Sequence, residues 1–576
     1  MADITAPEYI SPYVVTTSGG LVLDRDVYTM PVGAASILQN FEPSVRGGYR
    51  RLSGTAKFSA TQVGSSSSTI LGVAVFNSGV VAAQSTNVYF GTGSSWTSID
   101  SGRTSAGRYR FEKYNFSTNE ERLIFADGAN SPSVYNGTTV MDIKGATTIS
   151  TTGSASGSST SLSVSSAAGI IEGMYIGGTN IGSGAKVSSI SGTTVTMSVA
   201  TTGTISSGSV TFAGLGTAPS DPSMVTAFKN HMFYAGMSAE PNTIVFSAIG
   251  DENDFTASNG AGSLNVDSTI IALKSFRGEL IIFCEDRIYK LAGNALADFA
   301  IAPISRNVGC SDAFSIQEIG GDVIFLAPDG LRTIAGTARI GDVELGTVSK
   351  QIQARISDIG FTNISSVVIR DKSQYRLFYP SGGLESAEKG IIGVLKSNPS
   401  GQIGWEYSDI RGIKPACCDS GFISGVEKVI HGGFDGYVYL QESGNTFNGT
   451  AMKAIYRSPD LTMGDAGIRK NMQRINVNYD PEGSVDASLF VKYDFEDAGT
   501  PQPSAYTLST ADTAAVYDNA GTLYNSAVYD AEGMPIVRQS VEGSGFTVVI
   551  RLEDESSNPP ITLKGFELEF TPGARM

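Results

Sequence analysis

The chain has 576 residues, 67 of them glycine, and its 56 acidic against 40 basic side chains give a formal net charge of -16. Only 17% of the residues are charged, which argues against long amphipathic helices and coiled coils, because their exposed faces need Lys, Glu and Arg. The acidic balance argues against a protein that grips nucleic acid over its whole surface. The length and the many glycines predict a mostly β chain with tight turns and several domains.

The first eight residues lack the basic and apolar segments of a secretory signal, and no apolar run approaches the ~18 residues of a membrane helix. We therefore expect a chain without a membrane span that is synthesised in the cytoplasm. The cysteines include an adjacent pair and no C-x-x-C motif, which predicts buried reduced thiols instead of a zinc ribbon or a disulfide framework. They are Cys284, Cys310, Cys417 and Cys418.

A strand, an Asp-Gly turn and a second strand recur along the chain. Glycine accepts the positive φ angle of a tight hairpin turn, and aspartate tolerates it better than most residues. A related hairpin has Glu285-Asp286 at its turn. The three copies have their turns at Asp127-Gly128, Asp329-Gly330 and Asp435-Gly436.

The recurrence of this hairpin favours a β-propeller over a sandwich, because each propeller blade is a small antiparallel sheet that repeats the same strand and turn. The segment from Ser98 to Thr104 resembles the S-x-D-x-G-x-T turn of many propellers, but Ser105 stands where an aromatic residue normally follows. Further predicted strands are 71–76, 87–90, 232–235, 243–247, 366–370 and 375–379.

The composition changes after Lys144. Between residues 145 and 220 only Glu172 and Lys186 are charged. The low-complexity run 147–160 predicts a flexible linker. The alternation of apolar residues with Ser and Thr that follows predicts a small β-domain, and it resembles modules inserted into phage structural proteins and bacterial surface proteins.

One helix is predicted, over residues 348–359, with Ser349 as its N-cap. Its apolar residues fall on one face, which indicates a helix that packs on the core between two blades instead of one that binds a partner. These residues are Val348, Ile352, Ile356 and Ile359.

The predicted fold class is all-β, with a β-propeller core, a small inserted β-domain and a C-terminal β-sandwich. Longer strands with clean polar and apolar alternation after residue 451 indicate the sandwich. The predicted domains are 1–144 for the N-terminal part of the propeller, 145–214 for the insert, 215–450 for the rest of the propeller and 451–576 for the sandwich.

The sequence offers few groups for catalysis, and we expect no catalytic residue, no cofactor and no metal site. The two histidines, His231 and His431, lie in strand-like segments and are interpreted as structural. Asp251-Glu252 and Glu285-Asp286 are adjacent carboxylates for which solvated turns are the simpler explanation. Phe255 interrupts a calcium-like start at Asp251.

Two other patterns could indicate a functional site, but each has a simpler explanation. Ser386 to Lys389 matches S-x-x-K by chance, because the companion motifs are missing. Arginine and tyrosine alternate in two patches that have the residue types to hold phosphates or stack on bases, but intramolecular ion pairs or interfaces are the favoured interpretation. The patches are Arg46, Tyr49, Arg50 and Arg51, and Arg103, Arg108, Tyr109 and Arg110.

Several residue strings resemble a known family. Gly33 to Pro43 reads GAASILQNFEP, and Gly47 to Gly54 reads GGYRRLSG. These strings resemble the opening of tail nozzle, or tail tubular, proteins of short-tailed, podovirus-like bacteriophages. Central strings are also similar to that family: His231–Gly236, Pro241–Ser247, Asp251–Phe255, Asp286–Gly293 and Val308–Cys310.

The resemblance implies a propeller-containing subunit that forms a ring, usually a hexamer, at the distal end of the virion's tail. Viral DNA would pass through the ring without specific binding, and an adaptor protein and tail fibres would attach to it. The matching strings are fold signatures, so no active site is implied. The insert 145–214 departs from the simplest members.

Two other functions remain open at this point. The first is a receptor- or carbohydrate-binding propeller, a tail adhesin, which the Tyr, Ser and Asn content and the adhesin-like insert suggest. The second is a polysaccharide hydrolase, which needs two carboxylates in one cleft.

Overall fold

The computed structural model describes residues 11–26, 28–105, 107–116, 121–335, 347–360, 363–380, 389–397, 403–510 and 536–575. Strands dominate these residues, and the predicted fold class is confirmed. The chain divides into two compact units. One comprises Met1–Ala82, Gly91–Trp96 and Phe314–Met576, and the other comprises Ala83–Phe90 and Thr97–Ala313.

The second unit contains propeller blades, each of them four antiparallel strands that follow one another in sequence. Apolar residues form a shared core between the first and second of these sheets, and another between the second and third. The strands are Arg110–Tyr114, Arg122–Ala126, Ser133–Tyr135 and Val140–Asp142; Met224–Phe228, His231–Ala235, Thr243–Phe246 and Gly262–Asn265; and Ile270–Phe276, Glu279–Cys284, Ile288–Ala292 and Ala300–Ser305.

The same four-stranded arrangement occurs in Ile70–Phe76, Gly79–Gln84, Asn87–Gly91 and Trp96–Asp100. A three-stranded sheet in the first unit consists of Gln317–Ile319, Asp322–Ala327 and Gly330–Thr333.

One further blade, which we call the closing sheet, combines strands from distant parts of the chain. Cys417–Ile423, Val426–Gly432 and Val438–Gln441 follow one another, and Thr55–Lys57 adds the fourth strand at the edge. A strand from near the N-terminus thus completes a sheet whose other strands lie more than 350 residues later, and the fold joins these two parts of the chain.

The predicted hairpins are present. The turn at Glu285-Asp286 joins Glu279–Cys284 to Ile288–Ala292. Ala327 pairs with Gly330, so the tight turn itself is Pro328-Asp329. At Gly436 the φ angle is +81°, and a Cβ there would lie 2.0 Å from the Ser66 carbonyl oxygen, so only glycine fits this turn.

The insert is a six-stranded antiparallel sheet with its own apolar core. The prediction of a flexible linker over 147–160 is wrong, because Ile149–Ala155 pairs with two neighbouring strands and Gly153 packs against Leu162 and Val210. Serines and threonines alternate there with inward-facing residues, which made a strand look like low complexity. In spatial order the strands are Ile176–Gly178, Ile205–Phe212, Ile149–Ala155, Ser161–Val164, Thr194–Met197 and Val187–Ser191.

A short two-stranded ladder, Gly145–Ala146 with Gly216–Thr217, joins the points where the chain enters and leaves the insert.

The C-terminal strands form a sandwich of two sheets that share one large apolar core. The predicted boundary at residue 451 does not coincide with these sheets, because strands from the N-terminal region and from 365–411 belong to them. Several of those earlier strands are only three residues long, and none has a local pattern that specifies a partner so far along the chain. One sheet has Ser11–Thr16, Phe41–Pro43, Tyr49–Arg51, Ile468–Pro481, Ile536–Ser540, Ser544–Gly545 and Ile561–Arg575.

The other sheet of the sandwich has nine strands. They are Ile37–Gln39, Ser365–Ile369, Gln374–Tyr379, Lys389–Ser397, Ile403–Arg411, Ala454–Arg457, Val485–Tyr493, Tyr506–Thr510 and Val548–Asp554.

The predicted helix is shorter than its apolar pattern. It consists of the 3₁₀ turn Lys350–Ile352 and the α-helix Gln353–Ile356, and Ile352, Ile356 and Ile359 are buried as expected. The Ser349 hydroxyl does not cap the helix; instead it accepts a hydrogen bond from the Leu331 amide at 3.0 Å. The other 3₁₀ turns are Val63–Ser65, Ala257–Asn259, Ala313–Ser315, Arg370–Lys372 and Asp494–Glu496.

Candidate functional site

A cavity of about 340 Å³ opens at one edge of the closing sheet. His431, near the end of its strand, lies opposite Tyr439 across the ladder, and their rings stack 5.1 Å apart with an angle of 15° between their planes. The turn that joins the two strands supplies Phe434 and Asp435, and Thr55 comes from the edge strand Thr55–Lys57 of the closing sheet. The hairpin that the sequence predicts at Asp435-Gly436 therefore builds one wall of this cavity.

His431 is only 4% exposed, and its buried Nδ1 has no hydrogen-bond partner among the described residues. Burial lowers the pKa of His431 to about 3, and the neighbouring Arg376 cation lowers it further, against the opposing effect of Asp435. The ring is therefore neutral at pH 7. It offers one N–H donor and one acceptor nitrogen.

Two other polar groups of the cavity have no partner among the described residues: the Thr55 hydroxyl and the exposed side-chain amide of Asn448. Tyr439 differs from them, since its hydroxyl donates a 2.6 Å hydrogen bond to Asp435 Oδ2. Burial, followed by that carboxylate, raises the pKa of Tyr439 above its ordinary value. Asp435 is thereby held in place by the cavity wall.

Apolar side chains complete the cavity: Ile413 is buried, and Phe434 and Phe447 are half-buried. The exposed Lys414 and Asp435 contribute one charge of each sign. Aromatic surface combined with a few convergent polar groups is the usual composition of a small-molecule site. Such groups can donate hydrogen bonds to a bound molecule and accept them from it.

A second group of polar side chains lies beside the cavity. We call it the ion-pair network, and it consists of Glu42, Lys372, Gln374, Arg376, Gln441 and Glu442. Arg376 is at its centre with its side chain 1% exposed, and it contacts both Glu42 and Glu442. Lys372 Nζ lies 2.6 Å from Glu42 Oε1 and 2.5 Å from Glu442 Oε2, so two cations face two carboxylates.

Neutral amides connect the network to the sheets. Gln374 Nε2 donates to Glu42 at 2.9 Å, and Arg376 Nη1 donates to Gln441 Oε1 at 2.9 Å. Burial alone would raise the pKa of Glu442, but Arg376 and Lys372 lower it to about 2. These contacts join an N-terminal strand to two sheets and give the network a structural role.

The N-terminal arginine and tyrosine patch forms intramolecular contacts, as expected. Arg50 Nε lies 2.6 Å from Glu482 Oε1. The fully buried Arg51 donates to the Ser556 and Asn558 carbonyl oxygens, and the Tyr49 hydroxyl donates to the Gly33 carbonyl.

The second patch behaves in the same way. Arg103 pairs with Asp100 and Asp127 and donates to the Tyr109 hydroxyl at 3.1 Å. Burial lowers the pKa of Arg110 to about 10.

The remaining predicted candidates are dispersed, except that Asp251 and Glu252 line one cavity of about 280 Å³ together with Glu172, Lys186 and Arg122. His231 is buried among aromatic rings, with Nδ1 2.6 Å from the Ser247 carbonyl oxygen. Asp251 pairs with Lys186 and Glu252 with Arg122, while Asp286 pairs with its neighbour Arg287. All four cysteines are free thiols, as predicted. Residues 1–8 and 386–388 lie outside the described residues.

The sequence did not single out Glu42, Arg376, Tyr439 or Thr55. Their partners are far away along the chain, and a charged residue in the apolar segment 374–379 was the only local signal. Among the described residues, no group of three or more His, Cys, Asp or Glu side chains is arranged to hold a metal ion. No helix in the described ranges is long and apolar enough to cross a membrane.

Comparison with known proteins leaves the family open, since no family model and no curated protein matches. Solved structures do match, and two examples are the computationally designed Ika8 protein and Saccharomyces cerevisiae Sqt1. Each is 12% identical, with a TM-score of 0.32; the matches cover 66% of this chain and 99% of Ika8, and 67% of this chain and 98% of Sqt1. Kluyveromyces lactis Hsv2 matches at 9% identity over 59% of this chain and 97% of its own, with a TM-score of 0.27. These scores are low, so the fold description rests on this chain's own sheets.

Proposed function

We propose that this chain is a structural protein of a short-tailed bacteriophage, the tail nozzle. It would form a homo-oligomeric ring at the distal end of the tail, through which the genome leaves and to which an adaptor and fibres attach. In this role the protein is a rigid wall and not an enzyme.

The observation that carries the proposal is where the family-like strings lie. The Asn40 side chain donates to the Lys453 carbonyl and accepts from the Arg411 amide, both at 2.8 Å. Arg51 binds the chain near Asn558, and Gly48 packs so closely on Leu563 that a Cβ would lie 2.4 Å from its carbonyl oxygen. These residues hold strands of the sandwich together. A signature made of structural contacts supports a scaffold.

The charge supports the same role. A conduit should not hold phosphates, because every such contact opposes the sliding of DNA. A net charge of -16 meets that requirement. In addition, Arg50, Arg51 and Arg103 are engaged in contacts within the chain.

The test is electron microscopy of purified phage particles labelled with an antibody against this chain, together with imaging of the purified protein. We expect label at the tail tip and closed rings with a central channel. A strictly monomeric protein that is absent from the particles would overturn the proposal. Antibody against the major capsid protein of the same particles serves as the positional control.

A second candidate is a receptor-binding propeller, which the cavity beside His431 favours. It would be supported by binding of the isolated chain to host cells in the absence of any ring. A polysaccharide hydrolase has less support, because Asp251 and Glu252, which line one cavity, pair with Lys186 and Arg122.

A further inference from the structure

The cavity beside His431 contains polar groups whose hydrogen-bonding capacity is unused. Within the described residues, His431, Thr55 and Asn448 direct no side-chain hydrogen bond to another group. A buried polar group without a partner costs roughly 1–3 kcal/mol, so such groups normally belong to sites that a ligand or water completes. Here one such atom, the buried Nδ1 of His431, lines a cavity together with the unpaired Thr55 hydroxyl and the exposed side-chain amide of Asn448.

The chemistry of the lining restricts the ligand. The unpaired groups are an imidazole, a hydroxyl and an amide, which are all neutral and together offer donors and acceptors. Lys414 and Asp435 carry opposite charges, so the cavity has no net charge that would select an ion. The ligand should be uncharged and should have several hydroxyl or similar groups.

The shape restricts the ligand further. A volume of about 340 Å³ is near the lower end of the ~300–1,000 Å³ found for small-molecule sites, which limits the occupant to one or two rings. Phe434 and Phe447 supply flat apolar surface. The polar groups come from separate elements, namely the edge strand Thr55–Lys57, the strand Val426–Gly432 and the loop at Asn448. They are therefore distributed around a ligand instead of along one edge.

We propose that this cavity binds a neutral pyranose sugar, such as the terminal residue of a surface glycan. The hydroxyl groups of the sugar would bond to His431, Thr55 and Asn448, and its C–H face would pack on the phenyl rings. A nucleobase fits less well, because its hydrogen-bonding groups lie along its edges. This inference goes beyond the nozzle proposal, since a monomer could bind the sugar and a ring could fail to bind it.

The experiment is saturation-transfer NMR on the full chain with D-glucose, D-galactose and D-mannose as separate probes. We expect at least one to bind, with Kd on the order of 1–10 mM. His431→Phe should weaken binding about tenfold or more, and Phe447→Ala should do the same, because each removes one part of the site. His431→Gln, which keeps a neutral donor and acceptor, should retain part of the affinity.

Phe422→Ala is the matched control for Phe447→Ala. It removes an exposed phenyl ring of the same sheet that is not part of the cavity lining, so the affinity should remain that of the wild type. Asn448→Ala, at an exposed loop position, keeps the test valid if the buried variants fail to fold. It should weaken binding several-fold. The inference is overturned if none of the three sugars binds, if the His431, Phe447 and Asn448 variants bind as well as the wild type, or if uridine competes equally.

Discussion

The ion-pair network and the cavity are neighbours on one face of the closing sheet. They differ in that charged groups are paired in the network, whereas polar groups of the cavity are unpaired. Gln441 connects them, because it lies across the ladder from Thr55 and accepts a hydrogen bond from Arg376. In the network two carboxylates meet two cations at distances down to 2.5 Å. In the cavity three neutral groups have no partner among the described residues.

This contrast separates a structural polar cluster from a candidate binding site. A buried charge is tolerated only where a charge of opposite sign pairs with it. When one partner is removed, the other remains buried without a counter-charge, which destabilises the fold. An unpaired neutral group destabilises the fold less than an unpaired charge does, and a ligand that forms a hydrogen bond with it removes this destabilisation. Substitutions in the network should therefore lower stability, whereas substitutions in the cavity should alter binding with little loss of stability.

The largest effect is expected from Arg376→Ala. This change removes one of the two cations that pair with Glu442 and one of the three that pair with Glu42, which also contacts Lys372 and Arg50. Loss of a partner from a buried pair costs about 3–5 kcal/mol. Urea denaturation of the purified protein measures the shift. Lys144→Ala is the control, because Lys144 and its partner Asp142 are 59% and 40% exposed, so their pair should contribute ~1 kcal/mol or less. Equal losses of stability in the two variants would show that the buried network contributes no more to stability than an exposed ion pair.

Glu442 gives the network a pH dependence. Since the pKa of its carboxyl is lowered to about 2 in the folded protein, it stabilises the fold above its ordinary pKa of 4.5 and loses that contribution as the pH falls from 4.5 to 2. Thermal unfolding of the wild type and of Glu442→Gln should differ most at neutral pH and converge toward pH 2. A gap that is constant over this range would show that the carboxylate charge is not what stabilises the network.

For the cavity, His431→Phe should leave stability within about 1 kcal/mol of the wild type. The phenyl ring keeps the stacking surface toward Tyr439, and the change removes the buried Nδ1, which lacks a partner among the described residues. Urea denaturation beside Arg376→Ala tests this directly. A loss as large as that of Arg376→Ala would mean that His431 is a structural residue and not part of an open site.

Local patterns in the sequence were sufficient for hairpins of the blades and for the later strands of the insert, but not for Ile149–Ala155. The alternation in Thr194–Met197 and the turns at Glu285-Asp286 and Asp435-Gly436 depend on neighbours within a few residues, so they could be predicted. The pairing of Thr55–Lys57 with Val438–Gln441 could not, because nothing in either segment specifies a partner almost 400 residues away. The extent of the sandwich was missed for the same reason.

The cavity shows the same limit. His431 was noted in the sequence, but a structural histidine and a site histidine have the same local surroundings in a strand. What distinguishes them is the partner of Nδ1. His231 has the Ser247 carbonyl oxygen next to Nδ1 and lacks a partner only at Nε2, whereas Nδ1 of His431 has no partner among the described residues. That difference depends on chain segments that meet only in the folded protein.

The smallest effect is expected in the insert, where one of the two charged residues has an ion pair and the other has none within the described residues. Lys186 Nζ lies 2.9 Å from Asp251 Oδ2 and above the Tyr175 ring, whereas Glu172 is exposed and has no ion pair within the described residues. Lys186→Met should leave overall unfolding unchanged, because a partly exposed pair contributes ~1 kcal/mol or less.

The local effect of Lys186→Met should appear in hydrogen exchange. The Phe255 amide donates to the Leu215 carbonyl oxygen, and Asn253 accepts from the Gly145 amide, so residues 250–256 hold the base of the insert. Mass spectrometry should detect two- to fivefold faster exchange there, which corresponds to about 1 kcal/mol or less of local stability. Glu172→Gln is the matched control and should exchange at the wild-type rate, since it removes a charge without an ion pair. If both variants accelerate exchange equally, the insert is held by its total charge and not by the Lys186 to Asp251 pair.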